Sequence, residues 1–234
     1  MRIIATLFIA SVILSSCGGN AQEEDKQEPE ITFDVLFSED STEITLGHQT
    51  WMAANLNAMT FRNGDSIPLA TSAADWEKAE WRNTPLCGYY DNNPKNAAKY
   101  GMLYNWHAVM DERGLAPDGW HIPHDSAWQQ LDTFLNNKEA AGHYLKSTTG
   151  WIENSNGNNA SGFNALPSGW FSVIAEEYDD LGAQAYWWST KSGSTAVLAQ
   201  ELAAWVWSVD HTDSTFTSMD FYKGNGFSVR CIKD

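Results

Sequence analysis

The chain has 234 residues and a formal net charge of −16. It therefore lacks the clustered Lys and Arg that hold nucleic-acid phosphates or an anionic membrane surface. Its length suffices for one large domain with a proper core, and its 12 Trp suit a core of loops and short strands carried by large aromatic side chains.

Taken from the start, Arg2 and the apolar run 3–14 make a secretory leader, too short to remain in a bilayer as a spanning helix. Its end, Leu14-Ser15-Ser16-Cys17, resembles a bacterial lipoprotein cleavage and lipidation site. That resemblance implies a signal peptide at 1–16 and a lipid anchor on Cys17, with the membrane as partner through the lipid. Behind it Glu23, Glu24, Asp25, Glu28, Glu30, Asp34, Glu39, Asp40 and Glu43 face only Lys26, so 17–43 is expected to be a self-repelling, disordered tether. Gln22-Glu23-Glu24-Asp25 resembles the acidic signals that route lipoproteins to the outside of the outer membrane, which implies surface exposure; a merely solvating tether is the alternative.

From Ile44 to Asp234 the composition turns aromatic and apolar, and this is expected to be the folded domain. A short helix is expected over 75–81, with Trp76 and Ala79 inward. A second is expected from Ala97 to Met110, where Leu103, Trp106 or His107, and Met110 recur at three and four. A third follows Ile122-Pro123, with Trp128, Leu131, Phe134 and Leu135 on one face and its start resting on Asp125 and Ser126. Strands are expected at Tyr186–Thr190, at 203–209, where Ala203, Trp205, Trp207 and Val209 alternate with smaller neighbours, and at Phe227–Ile232. Asn63-Gly64, Asn92-Asn93-Pro94, Asn156-Gly157, Gly193 and Asn225-Gly226 mark turns. The fold class is α+β, with short antiparallel strands, two main helices and many loops. With Cys17 lipidated, Cys87 and Cys231 remain; in an exported protein an even remainder suggests a disulfide, two separate thiols being the alternative.

Five segments stand in the order of one family: Gly47-His48-Gln49-Thr50-Trp51-Met52-Ala53-Ala54-Asn55-Leu56, Tyr100-Gly101-Met102-Leu103-Tyr104-Asn105-Trp106, Pro117-Asp118-Gly119-Trp120-His121-Ile122-Pro123, Gly162-Phe163-Asn164-Ala165-Leu166-Pro167 and Gly226-Phe227-Ser228-Val229-Arg230-Cys231. Together they resemble the Fibrobacter succinogenes major paralogous domain from 44 to 234. The resemblance implies a C-type lectin-like fold in surface lipoproteins and carries over no catalytic set. The family often has a cysteine where this chain has Ala116, so a disulfide here would use Cys87 with Cys231. It also favours Thr and Glu where this chain has His124 and Ala127, which predicts a weaker helix cap.

Chemical constellations are sparse. His121 and His124 flank Ile122-Pro123 and are not placed for joint metal ligation, so no metal centre is expected. Asp91-Asn92-Asn93 with Asn96, and Glu153-Asn154 with Asn156, Asn158 and Asn159, offer oxygens that could bind Ca²⁺ or simply form turns. The tripeptides of a calcium-dependent sugar site are absent. Stacking of a sugar ring on aromatic faces is expected instead at Trp151, Trp170, Trp187 and Trp188, with Asn158 and Asn159 bonding its hydroxyls. Glu176-Glu177 and Asp179-Asp180 are the paired carboxylates a hydrolase would need, and an acidic surface loop is the simpler account. The expectation is a non-catalytic, lipid-anchored envelope protein that binds a glycan or a surface protein. A structural or assembly subunit is the alternative, and a polysaccharide hydrolase the remote one.

Overall fold

The computed structural model describes residues 42–135, 140–196 and 200–234. The leader, Cys17 and the acidic block behind it lie outside the described residues. In chain order the elements are β1 (Glu43–Leu46), β2 (Gln49–Met52), α1 (Ala73–Arg82), β3 (Cys87–Gly88), α2 (Pro94–Tyr100), β4 (Leu103–Tyr104), α3 (Trp106–Val109), β5 (Trp120–His121), α4 (Asp125–Phe134), α5 (Ala141–Leu145), β6 (Ser168–Ser172), β7 (Glu177–Leu181), β8 (Gln184–Ser192), β9 (Ala203–Asp210), β10 (Phe216–Tyr222) and β11 (Ile232–Lys233). This is an α+β arrangement with antiparallel sheets. One sheet has the order β1-β2-β11-β5, and in it Ile232 pairs with Trp51 on one side and His121 on the other. The last strand thus lies between the first strands and the middle of the chain.

A second sheet, β10-β9-β8, separates two cores. Alternate residues of a strand point to opposite faces. Tyr186, Trp188, Ala204 and Val206 accordingly join one core with Phe227 and Val229, while Ala185, Trp187, Trp207 and Val209 join another with Trp51, Trp128 and Phe163. The alternation expected over 203–209 is real, but its small-residue face is buried too, because β9 is a middle strand covered on both sides. A third core gathers beneath α1, where Trp76 stacks on Phe171 at 5.0 Å.

The helix over 75–81 forms as expected, with Trp76 and Ala79 buried. Asp75 accepts hydrogen bonds from the backbone and hydroxyl of both Thr71 and Ser72, which fixes the first turn and lowers the Asp75 pKa. The helix expected over 97–110 is instead broken into α2, β4 and α3. Gly101 adopts φ +78, and a Cβ there would stand 2.8 Å from Asn55 Cβ and from the Leu56 carbonyl; beyond it the Tyr104 N–H donates to Phe227 O at 2.9 Å. Asn105 then caps α3 by accepting from the Ala108 N–H. At α4 the cap is His124, whose Nδ1 accepts from the Ser126 N–H at 3.3 Å, not Asp125 or Ser126. Asp125 is buried and accepts from Trp207 Nε1 at 2.8 Å and Lys191 Nζ at 3.1 Å, tying the helix to β9 and β8. Phe134, expected inward, is exposed at the end of α4.

The strand expected over 227–232 is regular only at β11. Before it the chain acts as a seam: Gly226 bonds Phe171, Phe227 bonds Tyr104, Ser228 accepts from Trp188, Val229 from Leu56 and Cys231 from Met52. The expected disulfide is not formed. Cys87 and Cys231 are free and buried in the first core, with Cys87 Sγ donating to Pro68 O at 3.5 Å, and burial pushes both thiols up to about 12. They serve as small apolar side chains. Among the described residues no helix is long and apolar enough to cross a membrane, and no three metal-ligating side chains cluster.

Candidate functional site

The loop aromatics expected to stack on a ligand are core residues. Trp187 and Trp188 are fully buried, their indole N–H groups donating to Asn55 Oδ1 at 2.9 Å and Tyr104 O at 2.7 Å. Trp151 is buried and donates to Ser147 Oγ and Ala165 O. Trp170 is half-buried, stacked on Phe227 at 5.2 Å with its N–H on Asp180. An acceptor within reach, whether a carbonyl, an amide oxygen, a hydroxyl or a carboxylate, meets the indole N–H of each of these four. Asn158 and Asn159 fold their own loop, accepting from the Ala160 and Asn164 N–H groups. No aromatic platform forms among these six.

The other candidates are likewise engaged in local structure. His121 pairs with Asp234 at 2.8 Å while His124 caps α4, so the two do not act together. Asn93 caps α2, Asn92 accepts from the Tyr178 hydroxyl, Asn96 donates to Tyr90 O, and Asn156 accepts from the Trp151 N–H. Asp180 accepts from both Trp170 and Tyr186.

Two other places offer chemistry. The first is an open groove of about 490 Å³ where the end of α1, the tip of the β6–β7 hairpin and the outer ends of β9 and β10 meet. Trp81 is 80% exposed on its wall, Ile174 69%, Leu202 47% and Tyr222 42%. Side chains this large and apolar, this exposed and this close together, form an apolar surface patch. Glu77, Glu80, Asn83 and Glu176 supply polar groups around them. Each is set by the fold: Asn83 ends α1 in the left-handed region, Glu176 takes φ 56 at the hairpin turn, and Glu80 meets His107 Nε2 at 3.0 Å. Glu77 Oε1 accepts from Trp81 Nε1 at 3.4 Å, which steadies the exposed ring. Of these residues only Glu176 stands out in the bare sequence; exposed apolar side chains at the ends of three elements have no local signature.

The second place is a pocket of about 190 Å³ against the seam. Arg230, only 1% exposed, is at its inner end. Its Nε and Nη2 both donate to Asn55 Oδ1, at 3.0 and 2.8 Å, and its Nη1 donates to Met52 O at 3.1 Å and Phe163 O at 2.8 Å. The guanidinium also lies 4.3 Å from the Phe163 ring centre. Asn55 in turn donates to Tyr100 O at 2.9 Å. Burial lowers the Arg230 pKa to about 9, so the group stays cationic at neutral pH. Four of the five recurring segments therefore converge on one guanidinium and one amide.

The family model described as the Fibrobacter succinogenes major domain matches residues 44–233. No curated protein and no solved structure matches the chain.

Proposed function

The chain belongs to the Fibrobacter succinogenes major domain family, and on that premise we propose that it is a non-catalytic glycan-binding module. In this reading the domain has the C-type lectin-like fold. The union of the first and last strands in one sheet, with helices packed beside short antiparallel strands, supports it. The module is held at the outer face of the envelope by a lipid on Cys17. The acidic stretch behind Cys17 supports that address.

One observation carries the binding reading: the open groove with Trp81 and Tyr222 exposed beside Glu77, Glu80, Asn83 and Glu176. An aromatic face covers the apolar face of a sugar ring, while carboxylates and an amide accept and donate to its hydroxyls. A fold of this kind brings no activity with it, so the reading stands on the groove alone.

The test is a glycan array probed with the purified full-length protein, with and without Ca²⁺, followed by titration of the best ligand against Trp81→Ala. We expect binding that weakens about tenfold in the variant, the loss of one stacking contact. Absence of any glycan binding overturns the reading. Ile174 and Leu202 also suit an apolar protein side chain, so stoichiometric co-purification of an envelope protein, lost in Ile174→Asp, would favour the assembly role.

A further inference from the structure

We infer that the pocket over Arg230 is a second binding site, separate from the groove, and that it takes a carboxylate group. The chain has only 14 Lys and Arg against 30 Asp and Glu, yet two of those cations, Lys99 and Arg230, line this small pocket and no Asp or Glu does. Asn55, Asn57 and Asn164 add neutral amides to the same wall.

Arg230 is the stronger part of the argument. A buried guanidinium is costly unless a charge or a full set of acceptors compensates it. Here no carboxylate pairs with it among the described residues. Its partners are an amide oxygen and two backbone carbonyls, and they take four of its five N–H groups, leaving one on Nη2. Arg230 Nε and Nη2 converge on the single Asn55 Oδ1, an uncharged acceptor that also receives the Trp187 indole N–H. The protein therefore holds the cation in place without neutralising it, at the inner end of a pocket with access from outside. Lys99 stands exposed at the rim, against the Tyr100 ring at 4.7 Å and in no ion pair among the described residues. A carboxylate entering the pocket meets one cation within and one at the mouth. A volume of about 190 Å³ admits that group with a few attached carbons. Its source is either a small free acid or the acid group of a sugar such as a uronate.

Trp187 supplies the readout, because its indole N–H donates to the same Asn55 oxygen that Arg230 holds. The experiment is a titration of the full-length protein, ¹⁵N-labelled at Trp, with acetate, glucuronate and glucose at constant ionic strength, following the Trp187 Nε1–H resonance. A saturable shift with both acids, and none with glucose, is expected if the carboxylate alone is recognised. A shift with glucuronate only assigns the acidic sugar. Arg230 is too embedded for a clean variant, so the exposed rim carries the controls. Lys99→Gln should weaken binding about fivefold, as for loss of one exposed ion pair, and Asn57→Asp, which sets a negative charge on the wall, should abolish it. No shift with either acid, a shift with glucose equal to that with glucuronate, or acid binding unchanged by Asn57→Asp overturns the inference.

Discussion

The Arg230 pocket and the Trp81 groove are built from opposite materials. The pocket draws its walls from 53–57, 100–101, 164–166 and Arg230, within or beside the segments that mark the family, and adds only the neighbouring turn of α2. The groove draws on Glu77, Trp81, Ile174, Leu202 and Tyr222, all outside those segments. In the pocket, Arg230 and Asn55 also hold distant parts of the chain together. In the groove, the exposed side chains hold almost nothing. The recurring segments thus form a framework with a small polar pocket in it, and residues outside them form a face whose exposed side chains stand apart from that framework.

That contrast fails if Arg230 is dispensable. Arg230→Ala should destabilise the protein by about 3–5 kcal/mol, because it takes the guanidinium donors from the carbonyls of Met52 and Phe163 and leaves Asn55 Oδ1 with the Trp187 indole alone. Urea unfolding measures it. A loss below about 1 kcal/mol would mean the segments are held by apolar packing alone. Gly101→Ala tests the same junction from the backbone. Its positive φ and a Cβ 2.8 Å from both Asn55 and Leu56 predict a cost of about 1–3 kcal/mol, read from the shift of the same transition.

The broad class was legible in the sequence because period and composition report it: Trp76 and Ala79 on α1, the alternation of β9, and the helix after Pro123 all follow from spacing. What escaped was set by contacts distant in sequence. Leu103, Trp106 and Met110 mimic a helical stripe, but Gly101 must turn past Asn55 and Tyr104 must bond Phe227, and neither demand is written near residue 101. Trp187 and Trp188 sit in a segment bordered by loop residues, yet a core packs on each face of β8. Cys87 and Cys231 count as a pair in sequence but pack as separate thiols. The Asn55–Arg230 hub spans 175 positions; only the family resemblance placed both residues among the marked segments, and it said nothing of their meeting.

The helix α1 forms the groove with its far end, and its start rests on Asp75. Asp75→Ala should cost about 1 kcal/mol at neutral pH, through loss of the four hydrogen bonds to Thr71 and Ser72. The folded pKa of Asp75 is lowered by those bonds, so its contribution is present above the unfolded value near 3.9 and is lost as pH falls through the folded value. Unfolding curves of the two proteins should therefore draw together in strong acid. A constant gap at all pH would assign the effect to packing instead.

The smallest expected effect is the most telling for the comparison. Trp81 buries little and its one hydrogen bond, to Glu77, is long and exposed. Trp81→Ala should then change stability by no more than about 0.5 kcal/mol, although Trp is the largest side chain the chain carries. The buried indoles cannot be truncated so cheaply: removal of Trp128, which meets Trp51 at 4.6 Å and Phe216 at 6.0 Å, should cost about 3–5 kcal/mol. A stability loss of that size at Trp81 would make the groove part of the framework and its exposure incidental. Near-neutral stability together with lost glycan affinity would show that this Trp is present for a ligand, because folding gives no reason to keep it.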